Sequence, residues 1–366
     1  MKIEKKLWIT LFAFGMFAVC FSGWIFRQST VREKLFWDNT IKCETKELTD
    51  GEIKSENIAL PKDFNVPKSI LFKTTHTIAE VWLDGEKIYE YGNEEDAPSF
   101  MKSPGSCWHI VDIPEGSAGK SLEVRIIPVY DNYYGNEVSI AYGTRGDCIL
   151  KILTDSFKTL LLSCGILFAS IICLVLYLGA VRRKRRDKTE VKIEIFLNLG
   201  FFSLLIAVWT LAQCGFRQFL IPDGRTLYFV EYFSFFLFPV PFNFLLYDIC
   251  KSRYHKGALI FPTLYLVNMA GDVLLQCTGI IDIFRMLPVT HVIMVANAVY
   301  IGVLILYEAR KEGNDEAKKF QYPMCALIVF GMAEMLLYYL RKFQQTSILL
   351  PTGTLLFIIM LIWIQV

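Results

Sequence analysis

Residues 157–180 read FKTLLLSCGILFASIICLVLYLGA, and residues 181–192 read VRRKRRDKTEVK. The first stretch carries one charge, Lys158, and is long enough to cross a bilayer, which needs about 20 mainly apolar residues. The second stretch cannot enter hydrocarbon, so the chain must leave the membrane there. Working outward, the same alternation recurs. Apolar segments occupy residues 193–215, 227–249, 259–278, 289–307, 322–340 and 348–366, and another stands alone at 7–26. The chain is 54% hydrophobic and 14% aromatic, which does not suit an ordinary soluble domain. The expected class is a membrane protein of mixed α+β type. Residues 1–28 form a membrane anchor or a signal, 29–155 an extracytoplasmic β-sandwich, and 156–366 a seven-helix transmembrane bundle.

The net charge of +2 hides an asymmetry. Residues 28–155 hold 14 Lys and Arg against 22 Asp and Glu. Basic residues gather instead at Lys2, Lys5 and Lys6, at 182–192, at Lys251, Arg253 and Lys256, and at Arg310, Lys311, Lys318 and Lys319. The alternate connections hold only Arg217, Arg225, Arg285, Arg341 and Lys342. Positive loops stay on the cytoplasmic side. Both termini are therefore expected inside the cell membrane and residues 27–156 outside. The run RRKRR is explained by topology and anionic lipid rather than by nucleic acid.

The first apolar segment has a basic start, like a signal peptide, but runs long and lacks a clean small-residue cleavage site. Three cysteines, Cys43, Cys107 and Cys148, fall in the outer segment, so at most one of their pairs can form a disulfide. No Cys/His cluster appears, so no metal and no cofactor is expected.

From Ser69 the outer segment alternates as strands do. Asp84-Gly85 sits between two such runs, the strongest short-range hairpin signal. Further strands are expected at 107–113, 121–127, 137–142 and 148–153, with residues 29–60 less regular. Short strands separated by Gly and Pro turns point to an antiparallel sandwich.

The runs VWLDGEKIYEYG (81–92), CWHIVDIP (107–114) and KSLEVRIIPVYDN (120–132) are similar to the galactose-binding-like jelly roll of some glycoside hydrolases. Together with FSLLIAVW (202–209), Tyr232-Phe233-Ser234, Pro239-Val240-Pro241, LLQCTGIID (274–282) and His291, they resemble bacterial seven-transmembrane receptors with diverse intracellular signalling modules. The resemblance covers residues 60–366. It implies a sensor that detects an extracytoplasmic ligand and relays it to a cytoplasmic output, typically a GGDEF diguanylate cyclase. No GGDEF string is present, so this chain is expected to be the sensing half of a longer form, and not itself an enzyme.

Candidate ligand residues follow from chemistry. Aromatic rings stack on the apolar faces of sugars, which selects Trp82, Trp108 and the loop Tyr130, Asp131, Asn132, Tyr133 and Tyr134. The alternative places Trp82 and Trp108 in the sandwich core. Ionisable groups inside spans are costly and so point to function. Glu231, Asp272 and His291 lie toward the outer ends of their spans and could share a pocket, whereas Glu334 lies deeper. The alternative is hydrogen bonding between helices. The partners expected are a small polar or sugar-like ligand, membrane lipids and, as an option, a second copy in a homodimer. No nucleic acid is expected. A small-solute transporter and a membrane-anchored carbohydrate-binding protein are the competing readings.

Overall fold

The computed structural model describes residues 44–47, 54–59, 68–93, 97–130, 140–187, 194–340 and 348–365. It divides into two units. One is the chain up to Phe157 together with Gly215–Tyr228; the other is Lys158–Cys214 with Phe229–Val366. The anchor expected at 1–28 and the loop residues Asp131, Asn132, Tyr133 and Tyr134 lie outside the described residues, as does Cys43.

The first unit is built on eight strands: β1 (Glu44–Glu47), β2 (Lys54–Ala59), β3 (Lys68–Thr75), β4 (Thr77–Leu83), β5 (Glu86–Tyr91), β6 (Ser106–Ile113), β7 (Ser121–Pro128) and β8 (Ala141–Gly143). They form an antiparallel sheet in the order β1-β2-β7-β4-β5 and a second in the order β6-β3-β8. Alternation sends Ile70, Phe72, Val111 and Ile113 from the smaller sheet into the same buried cluster as Ala79, Val81, Leu122, Val124 and Ile126 from the larger. At the hairpin, Asp84 and Gly85 take φ of 48° and 86°, the double positive φ of a type I′ turn. His76, at φ 52°, turns the chain from β3 in one sheet to β4 in the other.

Three expectations change. The stretch 29–60 contains β1 and β2, which pair with each other and, through β2, with β7. The expected strand at 137–142 survives only as β8 at its end, since 131–139 lie outside the described residues. The expected strand at 148–153 is helical. It opens α1 (Arg145–Asp187), a helix of 43 residues. The reason is a capping box that apolar content obscured. Thr144 Oγ1 accepts from the Asp147 N–H at 3.2 Å, and Asp147 Oδ2 accepts from the Thr144 N–H at 2.9 Å. Cys148, Ile152 and Ser156 then recur every four residues as the buried face. Cys107 and Cys148 are both free thiols.

The second unit is helical. After most of α1 come α2 (Glu194–Gln213), α3 (Gly224–Leu237, shared between the units), α4 (Pro239–Ile249), α5 (Ile260–Cys277), α6 (Ile283–Arg310), α7 (Asp315–Leu340) and α8 (Leu349–Gln365). Among the described residues six helices are long and apolar enough to cross a membrane, with α3 and α4 counting together as Gly224–Ile249. Their outward faces carry large apolar side chains, such as Val267, Leu274, Val292, Val303 and Val329, each more than 60% exposed. Water would not tolerate so wide an apolar surface on a soluble protein, and a bilayer does. The helices thus fit a multi-pass membrane protein. The last helix, at 17 residues, spans only about 25 Å, less than the hydrocarbon core. The α1–α2 seam is fastened by serines, with Ser163 Oγ donating to the Ala207 carbonyl and Ser170 Oγ to that of Gly200, at 2.9 and 2.8 Å.

Two histidines in the β unit set its response to acid. His109 is buried between Thr74 Oγ1 at 2.7 Å and Tyr89 Oη at 2.9 Å, and burial lowers its pKa to about 3. His76 falls to about 3 through burial, helped by the Arg217 charge. An unfolded histidine takes up its proton near pH 6.5, so between these values the unfolded chain binds more protons. Stability should therefore be full above pH 6.5 and decline as pH falls toward 3. Unfolding midpoints of the detergent-solubilised chain across that range should show the decline, and His109→Gln should flatten it. An unchanged slope in the variant would mean that His109 is not the titrating group.

Candidate ligand cavity in the helical unit

The helical unit holds a partly open cavity of about 150 Å³. Its wall is mainly apolar, aromatic in one part and aliphatic in the rest. Phe202 and Trp209 come from α2, Tyr232 and Phe235 from α3, Phe242 from α4, Tyr265 from α5, and Tyr338 from α7. Phe238 and Pro239, the junction between α3 and α4, also line it. Trp209 and Phe235 stand 5.5 Å apart between ring centroids.

Pro239 and Pro241 bring no N–H to the helix, so the carbonyls of Phe235 and Leu237 lose their usual donors. The helix is interrupted there at Phe238 alone, which keeps helical backbone angles (φ −61°, ψ −29°) and donates its N–H to the Ser234 carbonyl at 3.1 Å. Nearby side chains take up other backbone groups. Asn243 Nδ2 donates to the Pro239 carbonyl at 2.8 Å, and Ser234 Oγ to that of Val230 at 2.6 Å.

Polar groups are few. Glu231 is 6% exposed and accepts from Gln213 Nε2 at 3.1 Å. His291 is 7% exposed, shares a hydrogen bond between Nδ1 and Tyr339 Oη at 2.8 Å, and meets the ring of Phe235 edge-on at 5.8 Å. Asn297 Nδ2 donates to Tyr265 Oη at 3.3 Å. Asn297 Oδ1 and Gln213 Oε1 are buried with no hydrogen-bond partner among the described residues.

Of the four intramembrane candidates, the structure brings Glu231, His291 and Glu334 to this cavity. Glu334 is also committed locally, since its Oε2 accepts from the backbone N–H groups of Ile348, Leu349 and Leu350 at 3.2, 2.6 and 3.1 Å. These are the orphan donors at the start of α8, and the carboxylate faces the positive end of that helix. Asp272 does not line the cavity. It is fully buried and accepts from Asn268 Nδ2 at 2.9 Å, and the same amide donates to Thr290 Oγ1 of α6. That arrangement is an interhelical fastening. Gln213, Asn297 and most of the aromatic wall were not singled out from sequence, because amides and rings within an apolar span look like any other packing residue.

The aromatic candidates of the β unit are placed differently. Tyr130 is 2% exposed and packs its ring near His76 at 5.5 Å, so it is interior. Trp108 packs with Leu71, Cys148 and Ile152, and its backbone N–H donates to Gln218 Oε1 at 3.0 Å. Trp82 points out of the larger sheet, with Arg125 stacked 4.6 Å and Lys87 5.6 Å from its ring centroid. Asp131, Tyr133 and Tyr134 lie outside the described residues.

The β unit also grips the chain that joins α2 to α3. Arg217 Nη2 donates to the Ser106 carbonyl at 2.7 Å, and Arg225 Nη2 to that of Asn93 at 3.2 Å. Gly105, at φ 85°, lies so close to Gly224 that a Cβ there would overlap the Gly224 carbonyl. No family model, no curated protein and no solved structure matches the chain.

Glu334 offers a test of the local account. Removing the acceptor in Glu334→Ala should cost about 1–2 kcal/mol, the scale of a lost helix cap. Glu334→Gln keeps an acceptor oxygen and should lose less. Equal destabilisation of the two variants, measured by unfolding in detergent, would show that capping is not its role.

Proposed function

We propose that this chain is the sensing part of a membrane receptor. A ligand bound outside or within the helices biases their packing, and that packing would drive a cytoplasmic output, typically of the GGDEF cyclase kind. The β unit acts as a jelly-roll-like extracytoplasmic domain, and α8 completes a seven-helix bundle. The charge asymmetry of the loops supports cytoplasmic termini.

One observation carries the proposal. The β unit holds Gly215–Tyr228 through Arg217, Gln218 and Arg225, and the cavity residues Gln213 and Glu231 stand two and three positions beyond the ends of that segment. A displacement of the segment is carried along the backbone to both. Binding on either side can then shift a two-state equilibrium, provided the ligand prefers one state.

A transporter is the second reading, for which the feature in favour is the pair of prolines, Pro239 and Pro241, within a span that lines the cavity. Uptake of a bound ligand into sealed vesicles would identify a transporter; a sensor would bind without uptake.

The receptor reading is tested with a cyclase fused after Val366. Arg217→Ala, which cuts the tie to Ser106, should change basal output by several-fold at equal expression. Output indistinguishable from the parent would contradict coupling through this segment. Reporter fusions after Lys188 should be active only for a cytoplasmic enzyme, and fusions within 93–100 only for an extracytoplasmic one; the reverse would overturn the topology.

A further inference from the structure

We propose that the helical cavity binds a small organic cation, an ammonium group attached to one ring-sized apolar body. The proposal rests on the receptor reading only in taking the cavity as a ligand site, and it narrows the small polar or sugar-like ligand expected from sequence.

Charge comes first. Among the described residues lining the cavity there are two carboxylates and no Lys or Arg. Glu334 faces three backbone N–H groups and a helix N-terminus, which suits an anion without further help. Glu231 lies on the cavity wall, almost fully buried, with the amide of Gln213 among its partners. A buried carboxylate gains most from a cation that arrives with its own N–H donors.

Two amide oxygens point the same way. Asn297 Oδ1 and Gln213 Oε1 are acceptors still open to a donor. A carboxylate ligand, which has no donor, would leave them unsatisfied. An ammonium brings three N–H groups and no acceptor.

The wall supplies the second half of the recognition. Trp209, Phe235 and Tyr338 present rings, and a cation over an aromatic face is worth about 0.5–2 kcal/mol, more as water is excluded. The volume of about 150 Å³ is that of a cavity able to take up benzene. One ring and a short amine-bearing chain therefore match both size and chemistry.

The test uses the full chain in detergent or nanodiscs, with phenethylammonium, its neutral isostere phenethyl alcohol, and phenylpropionate as probes. Binding is read by calorimetry and by the rise in unfolding temperature. The amine should bind at least about tenfold more tightly than the alcohol, and the anion more weakly than both. Glu231→Gln should weaken the amine at least about tenfold while leaving the alcohol unchanged. Trp209→Phe, which keeps a ring, should bind the amine better than Trp209→Ala. Equal affinity for amine and alcohol, preference for the anion, no amine binding at about 10 mM, or an unaltered amine affinity in Glu231→Gln would each overturn the proposal. The parent chain's ligand ranking needs no variant to fold. The two readings also separate. Amine binding without a change in fused output would sink the receptor reading alone, and an output response to another ligand without amine binding would sink this one alone.

Discussion

A missing amide proton governs the helical unit. In hydrocarbon each backbone group must find its partner within the protein, which is why spans are helices. Pro239 and Pro241 break that rule inside the span Gly224–Ile249. The α-helix is interrupted at Phe238 alone, whose backbone angles stay helical, and the side chains of Ser234 and Asn243 bond to the neighbouring carbonyls of Val230 and Pro239. The residues at the interruption, Phe235, Phe238 and Pro239, line the cavity. Glu231 lies one helical turn before Phe235 and so faces the same space. The two prolines, the cavity and the buried carboxylate are thus parts of one local arrangement.

Buried carboxylates elsewhere in the unit are handled by structure. Glu308 is fully buried and accepts from the backbone N–H groups of Lys251 and Ser252 at 2.9 and 2.6 Å, while Asn314 Nδ2 donates to its other oxygen. It joins the end of α4 to the end of α6. Asp272 fastens α5 through Asn268. Glu231 differs from these in lining the cavity. A polar group in a membrane span is either glue or site, and its surroundings decide which.

Much of this organisation was legible in the sequence. Apolar runs and the basic loops between them marked the helices, and Asp84-Gly85 marked the hairpin. The start of α1 was misread because Cys148–Leu153 has the apolar content of a strand, although Thr144 and Asp147 carried the spacing of a capping box. Glu231 and His291, singled out from sequence, both line the cavity, but separating Asp272 from them required knowing depth along the helix. Tyr265 is the α5 residue on the cavity, and Asp272 lies seven residues further on, the same face but about 10 Å along the axis. The grip of the β unit on Gly215–Tyr228 had no sequence signal, since Arg217 and Arg225 read simply as loop charges.

The central claim is that occupancy of the helical cavity is felt at the segment held by the β unit. The most direct measurement is backbone hydrogen exchange of the full chain in nanodiscs, with and without saturating phenethylammonium. The account predicts altered exchange both in α3 around Glu231 and in Gly215–Tyr228, together with Ser106–Trp108 on the strand that grips it. Altered exchange confined to the cavity, with Gly215–Tyr228 and Ser106–Trp108 unchanged while the amine is bound, would contradict it.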